Sequence, residues 1–339
     1  MTPARVVCFG EVLVRLSAPR GEALLQGPAL EARIGGAEAN VAVSLAHLGQ
    51  DSAVVSVLPD DPLGQAALGE LRRHGVDISG VRTGQGRMGL YFVTPGAVQR
   101  PFEVHYDRSG SAFALADPGL VDWPAALQRA AWLHLSGVTP AIGASAAAAA
   151  ERAVAEAGRL GVGVSFDGNY RLKLWQAWGG DAPGILRRLV EGAALAFADE
   201  RDLGLILGAG FEGDDPLVRR RLAAEAAFGA CPKLERIAST VRVQHGADDH
   251  DLSAVLLTRE GEHQCGPIRL GGIVDRIGSG DAFAAGLLHA LIQGRPDGEA
   301  LEFALAAAVL KHSYAGDFNL ASEAEIEALA AGAGLDVRR

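Results

Sequence analysis

The chain has 339 residues, 49% of them apolar, enough for one large core or two modest ones. Its net charge of −10 disfavours nucleic acid and anionic membrane as partners, and no apolar run approaches the roughly 20 residues that a membrane span needs. The three scattered cysteines, Cys8, Cys231 and Cys265, fit a reducing cytoplasm rather than a disulfide framework or a metal knuckle, and residues 1–5 lead straight into a strand-like run, which reads as the absence of a signal peptide.

In chain order, short β-rich runs are predicted at 6–9, 53–58, 132–135, 162–166, 194–198, 236–240 and 254–257. Helical patterns fall between them at 38–48, 63–74, 141–160, 202–207 and 216–228, and three more close the chain at 281–292, 299–312 and 323–331. This rhythm is that of an α/β fold, a doubly wound parallel sheet covered on both faces. Two segments break it, 11–34 and 88–104, where Leu90, Phe92 and Val104 alternate as on a strand with one apolar face. Gly84, Gly86 and Gly89 match a dinucleotide-binding spacing literally, but they precede the strand-like 90–93 rather than a helix, so they read as a loop.

The most informative string is Asp275-Arg276-Ile277-Gly278-Ser279-Gly280-Asp281-Ala282-Phe283-Ala284-Ala285-Gly286. Gly278, Ser279 and Gly280 make a small turn at a helix start, where unpaired backbone N–H groups and the helix dipole can hold an anion. An acid beside such a site is either a helix cap or a base; Asp281 suits a base that takes a proton from an attacking hydroxyl. Only Lys173, Lys233 and Lys311 are present and none follows a glycine turn, which excludes a P-loop. A phosphate must therefore be gripped by backbone amides, arginine and metal.

The string resembles the C-terminal signature Asp-Thr-x-Gly-Ala-Gly-Asp-x-Phe-x-x-Gly of the ribokinase-like (PfkB) carbohydrate kinases, with Arg276 for Thr and Ser279 for Ala. Gly35-Gly36-Ala37-Glu38-Ala39-Asn40 resembles the N-terminal signature of the same family, and the likeness extends over nearly the whole chain. It implies a three-layer αβα fold in a single kinase domain spanning 1–339, with a small β lid formed discontinuously by about 11–34 and 88–108. It also implies Gly278, Ser279 and Gly280 as the anion hole, Asp281 as catalytic base, and Gly35, Gly36 and Asn40 at the sugar. ATP and Mg²⁺ follow as cofactors, a monovalent cation stays open, and the lid is expected to pair subunits in a homodimer or larger homo-oligomer.

Further strings are similar to the 2-keto-3-deoxygluconate kinase group. They are Asp167-Gly168-Asn169-Tyr170-Arg171 with Leu174-Trp175, Tyr106-Asp107-Arg108, and Lys311-His312-Ser313-Tyr314-Ala315-Gly316-Asp317. They imply Tyr91, Tyr106, Arg108, Arg171 and Asp317 around the substrate. Planar guanidinium forks match a carboxylate, so Arg108, Arg171 and Arg15, which stands where neutral-sugar members usually carry an acid, suit a sugar acid. Ser239, Thr240, Arg242, Gly246, Lys311 and Tyr314 are expected near the nucleotide. Asp199 and Glu200 stand where the family carries an Asn-x-x-Glu-like metal string, with Asp for Asn, although an acidic helix start explains them equally well. The acids and histidines at 245–251 read as a polar turn between strands. Fructose, another hexose or pentose, or a nucleoside are the competing substrates, and a sugar-binding regulator without catalysis is the competing class.

Overall fold

Alternation along the first strand separates two cores: in β1 (Arg5–Phe9), Val7 and Phe9 pack on one side and Val6 and Cys8 on the other. The computed structural model describes residues 4–332. After β1 come β2 (Leu13–Ser17), β3 (Glu31–Gly35), α1 (Ala37–His47), β4 (Asp51–Pro59), α2 (Pro62–Arg73), β5 (Asp77–Gly84), β6 (Gly89–Thr94) and β7 (Glu103–Asp107). Two short helices, α3 (Ala112–Leu115) and α4 (Trp123–Ala126), precede β8 (Ala130–Ser136), α5 (Ala144–Leu160), β9 (Gly163–Asp167), α6 (Leu172–Trp178), α7 (Ala182–Glu191) and β10 (Leu195–Phe197). The rest is α8 (Glu200–Leu207), α9 (Pro216–Ala230), β11 (Arg236–Gly246), β12 (Asp249–Thr258), β13 (Glu262–Gly271), α10 (Ser279–Ile292), α11 (Asp297–Lys311) and α12 (Glu323–Ala330).

The main sheet has nine strands in the order β13-β12-β11-β10-β9-β8-β1-β4-β5. From β5 to β11 neighbouring strands pair in parallel, and β12 and β13 extend the edge as an antiparallel meander. Helices α5, α7, α8 and α9 supply one core, and α1, α2, α10, α11 and α12 the other, so the sheet is the middle of three layers. Parallel strands buried on both faces read as continuous apolar runs, which is why 53–58 and 132–135 were legible. The chain leaves β1 towards β4 and β5, then returns to β8 on the other flank, which opens a crevice at the carboxyl ends of β1 and β8.

The two segments outside the rhythm form a separate four-stranded sheet, β3-β2-β6-β7, in which β2 and β6 are parallel. Val104 lies opposite Val93 and Tyr106 opposite Tyr91, so these four share one face, whereas Leu90 and Phe92 occupy the other. The expected stripe of Leu90, Phe92 and Val104 is thus corrected. The turn between β6 and β7 resets the register, and a one-residue change of register moves a side chain to the opposite face.

Several strands escaped the sequence reading. β5 is only half-buried at the sheet edge and lacks an apolar run, and β13 is a mostly exposed edge strand that opens on polar residues and is interrupted by Gly266 and Pro267. β11 and β12 run to a tight connection at 247–248, so His245, His250 and Asp251 lie on a hairpin.

Candidate active site

Two helix starts meet over the crevice. Gly36 caps α1 with φ 142°, and a side chain there would come within 2.3 Å of the Glu11 carbonyl oxygen. Gly278 caps α10 with φ 79°, and a Cβ would come within 1.9 Å of the Asp317 carbonyl oxygen. Both positions require glycine, for the left-handed backbone and for the close approach. The first helical hydrogen bond of α10 runs from the Ala282 N–H to the Gly278 carbonyl, 2.8 Å, so the N–H groups of Gly280 and Asp281 come before the ladder begins.

α1 packs against α10, which brings Asn40 to Asp281: Asn40 Nδ2 donates to Asp281 Oδ2 at 2.6 Å. Burial pushes the Asp281 carboxyl up to about 7, Asn40 holds it back by stabilising the anion, and the charges of Glu38 and Asp317 add to the rise. Glu38 itself is buried, accepting from Ser136 N (2.9 Å), Ser136 Oγ (2.7 Å) and Thr139 Oγ1 (2.7 Å) at the end of β8. Asp167, the last residue of β9, is pushed up to about 8 by burial and by the charge of Asp281. A group of carboxylates thus shares one well.

The cleft around them holds about 450 Å³. Asn40, Tyr91, Tyr106, Arg108, Arg171 and Asp317 all line it, together with Gly36, Thr240, Arg242 and the turn Gly278–Asp281. Gly35 ends β3 beside the Asp317 carboxylate. Strands of both sheets therefore converge on α10 with residues drawn from widely separated stretches of sequence.

The arginines differ in what they are free to bind. Arg15 is buried and bridges Asp275 (2.8 Å) and Asp317 (2.9 Å), while the Tyr91 hydroxyl also donates to Asp317. Its charge is consumed inside the protein, which corrects the expectation that it faces a substrate carboxylate. Arg108 gives Nε to Glu11 at 2.5 Å, and its two terminal nitrogens have no acceptor among the described residues. Arg171 is exposed at the start of α6, donates to the Tyr170 carbonyl at 3.0 Å, and enters no ion pair among the described residues.

Other expected positions lie elsewhere. Lys311 is buried and donates to the carbonyls of Tyr314 (3.1 Å) and Asp275 (3.4 Å), tying down the loop that carries Asp317, and burial lowers it to about 8. Tyr314 packs against the core beside α10, and Ser239 and Gly246 do not line the cleft. Asp199 caps α8 and pairs with Arg201, and Glu200 pairs with Arg220. Asp202, the other half of that capping box, is pushed up to about 6 by burial and by Asp199. Glu38, Asp167, Asn169 and Asp275 stand inside the quoted strings and Glu11 shortly before Arg15, but the sequence reading assigns none of the five a role. Glu38 was the findable one, as an acid in the first turn of an otherwise apolar helix.

A family model described as pfkB family carbohydrate kinase matches residues 3–324. The chain belongs to this family. A 2-dehydro-3-deoxygalactonokinase of Haloferax volcanii is 35% identical over 98% of this chain and 99% of its own length. The solved 2-dehydro-3-deoxygluconokinase of Thermotoga maritima is 37% identical, with a TM-score of 0.92 over 97% of this chain and 100% of that one. A PfkB family carbohydrate kinase from Listeria grayi, 34% identical, superposes with a TM-score of 0.90 over 96% of this chain and 99% of its own. The kinase membership and the ribokinase-like fold expected from the two glycine signatures are therefore established. Among the described residues no helix is long and apolar enough to cross a membrane.

Proposed function

We propose that this kinase transfers the γ-phosphoryl group of ATP to the terminal hydroxyl of a 2-keto-3-deoxy sugar acid, 2-keto-3-deoxygluconate or its galactonate epimer. The observation that carries the reading is the placement of Arg108 and Arg171, each with donors to spare, on the cleft that holds Asp281. Similar chains that bear the names of keto-deoxy sugar acid kinases support it.

In this reading Asp281 accepts the proton of the attacking hydroxyl, and Asn40 fixes the carboxylate by its bond to Oδ2. The N–H groups of the turn at Gly278, Ser279 and Gly280 hold the transferring phosphoryl at the positive end of α10. Arg171 and the terminal nitrogens of Arg108 take the sugar carboxylate, and Tyr91, Tyr106 and Asp317 face the hydroxyls. Thr240 and Arg242 lie on the nucleotide side.

Among the described residues no three or more His, Cys, Asp or Glu are placed to hold a metal ion. Asp167 and Asp202, both raised well above the ordinary carboxylate range, are the acids whose charge such an ion would offset. Mg²⁺ bound there would neutralise phosphate charge. The second, smaller sheet acts as the lid, and its face carrying Leu90 and Phe92 is the candidate surface for subunit pairing.

Fructose is the second reading, favoured by the Glu11 partner that neutralises part of Arg108. ADP release measured over both keto-deoxy sugar acids, fructose and ribose decides between them. A wild-type preference for fructose overturns the sugar-acid reading, and no ADP release with any sugar would leave a binding protein.

A further inference from the structure

Among the described residues, two guanidinium groups beside the glycine turn have no counter-ion. Arg242, on β11, donates from Nη2 to Ser279 Oγ at 3.2 Å, and its Nε is buried without an acceptor. Arg276 lies two residues before Gly278, half-buried, with its guanidinium 6.0 Å from the centre of the Phe102 ring in the β6–β7 connection. Both line the same cleft as Asp281, and neither enters an ion pair among the described residues. The nearest acid in sequence, Asp275, is already spent on Arg15 (2.8 Å), Gly316 N (3.0 Å) and Ile277 N (3.1 Å).

Burial and the neighbouring charge of Arg276 push Arg242 down to about 10, which marks two like charges held close without compensation. Buried charge of this kind is costly unless it is paired. The pair stands at the mouth of a turn already suited to an anion, in a chain that has no P-loop lysine. The missing partner is therefore a polyanion that occupies the turn and reaches past it.

We infer that Arg242 and Arg276 form a two-arginine clamp on the β- and γ-phosphates of the nucleotide, with Arg276 replacing an uncharged Thr of the family signature by a second phosphate-binding cation. The inference rests on the kinase reading but not on which sugar is used. In the transfer, the sugar oxygen–phosphorus bond forms as the bridging oxygen–phosphorus bond of the γ-phosphoryl breaks. The hydroxyl proton passes to Asp281 and ADP leaves with the bonding electrons. Negative charge grows on the β-phosphate side, where planar, permanently charged donors serve best. The contact of Arg276 with Phe102 also places the lid hairpin against the clamp.

The test uses tripolyphosphate and ATP with no sugar present, titrated calorimetrically into the full chain and into Arg276→Thr, Arg276→Lys, Arg242→Met and Arg242→Lys. Charged hydrogen bonds of this kind correspond to roughly ten- to a hundred-fold in affinity. Arg276→Thr and Arg242→Met should each weaken tripolyphosphate and ATP alike by about that factor, and the Lys variants should recover part of it. In turnover, the KM for ATP should rise and kcat fall while the KM for sugar holds. Unchanged tripolyphosphate affinity in the folded Lys and neutral variants overturns the clamp. So does a loss confined to the KM of a sugar acid, because the pair would then hold the substrate carboxylate.

Discussion

Arg15 and Asp317 lie 302 positions apart in the chain and form a buried ion pair, 2.9 Å between Nη1 and Oδ1. Asp275 meets the same Nη1 at 2.8 Å. One guanidinium of the small sheet thereby ties down both the segment entering the glycine turn and the loop behind it. Arg15→Met would strand two buried carboxylates, and removing one partner of such a pair costs about 3–5 kcal/mol. Denaturant unfolding should show a loss of that size, and Asp317→Asn in the same chain should return part of it. A loss below about 1 kcal/mol, the worth of a surface pair, would exclude this role.

Asp281→Asn should abolish turnover while nucleotide binding persists. Asn keeps the shape and the contact with Asn40 but cannot take a proton. General-base catalysis is worth roughly 10² to 10⁴ in rate, so a drop of only a few-fold in kcat removes Asp281 from that role.

The wild-type enzyme should gain activity as pH rises through about 7, because Asp281 must be ionised to act and burial holds its proton to that pH. Stability should move the other way. The folded carboxyl titrates near 7 rather than at its ordinary 3.8, so the folded state binds the proton more tightly. This contribution to stability is fully present below the unfolded value and is lost as pH rises through 7. Asp281→Asn should therefore melt higher than wild type at pH 8, and the difference should vanish at pH 4. Parallel melting curves at both pH values would contradict the buried-acid account.

Arg171 and Arg108 should separate cleanly on mutation. Arg171 is exposed and enters no ion pair among the described residues, so Arg171→Ala should cut kcat/KM for the sugar acid roughly ten- to a hundred-fold with no change in Tm. Arg108→Ala also leaves Glu11 buried alone, so activity and Tm should both fall. Equal losses on fructose and sugar acid would show that neither arginine reads the carboxylate.

If the lid pairs subunits, light scattering at micromolar concentration should give a mass of at least two chains, and Phe92→Glu should lower it with the fold intact. A monomer throughout would exclude pairing through that face.

What the sequence determined by itself were the features written in local chemistry. The apolar runs of β1, β4 and β8 must be buried on both sides, and Gly36 and Gly278 occupy backbone that other residues avoid. Asp281 follows directly from its place in the first turn of α10. Only the tertiary structure decided how charge is partitioned among the arginines. Arg15, Arg108, Arg171, Arg242 and Arg276 look alike in sequence, yet Arg15 is consumed by two acids, Arg108 is half-used by Glu11, and the other three enter no ion pair among the described residues. The same holds for Lys311, whose ammonium turns inward to loop carbonyls. Periodicity reports which face is buried, whereas the partner of a long charged side chain is set by how strands and loops are brought together, as when Arg15 meets Asp317.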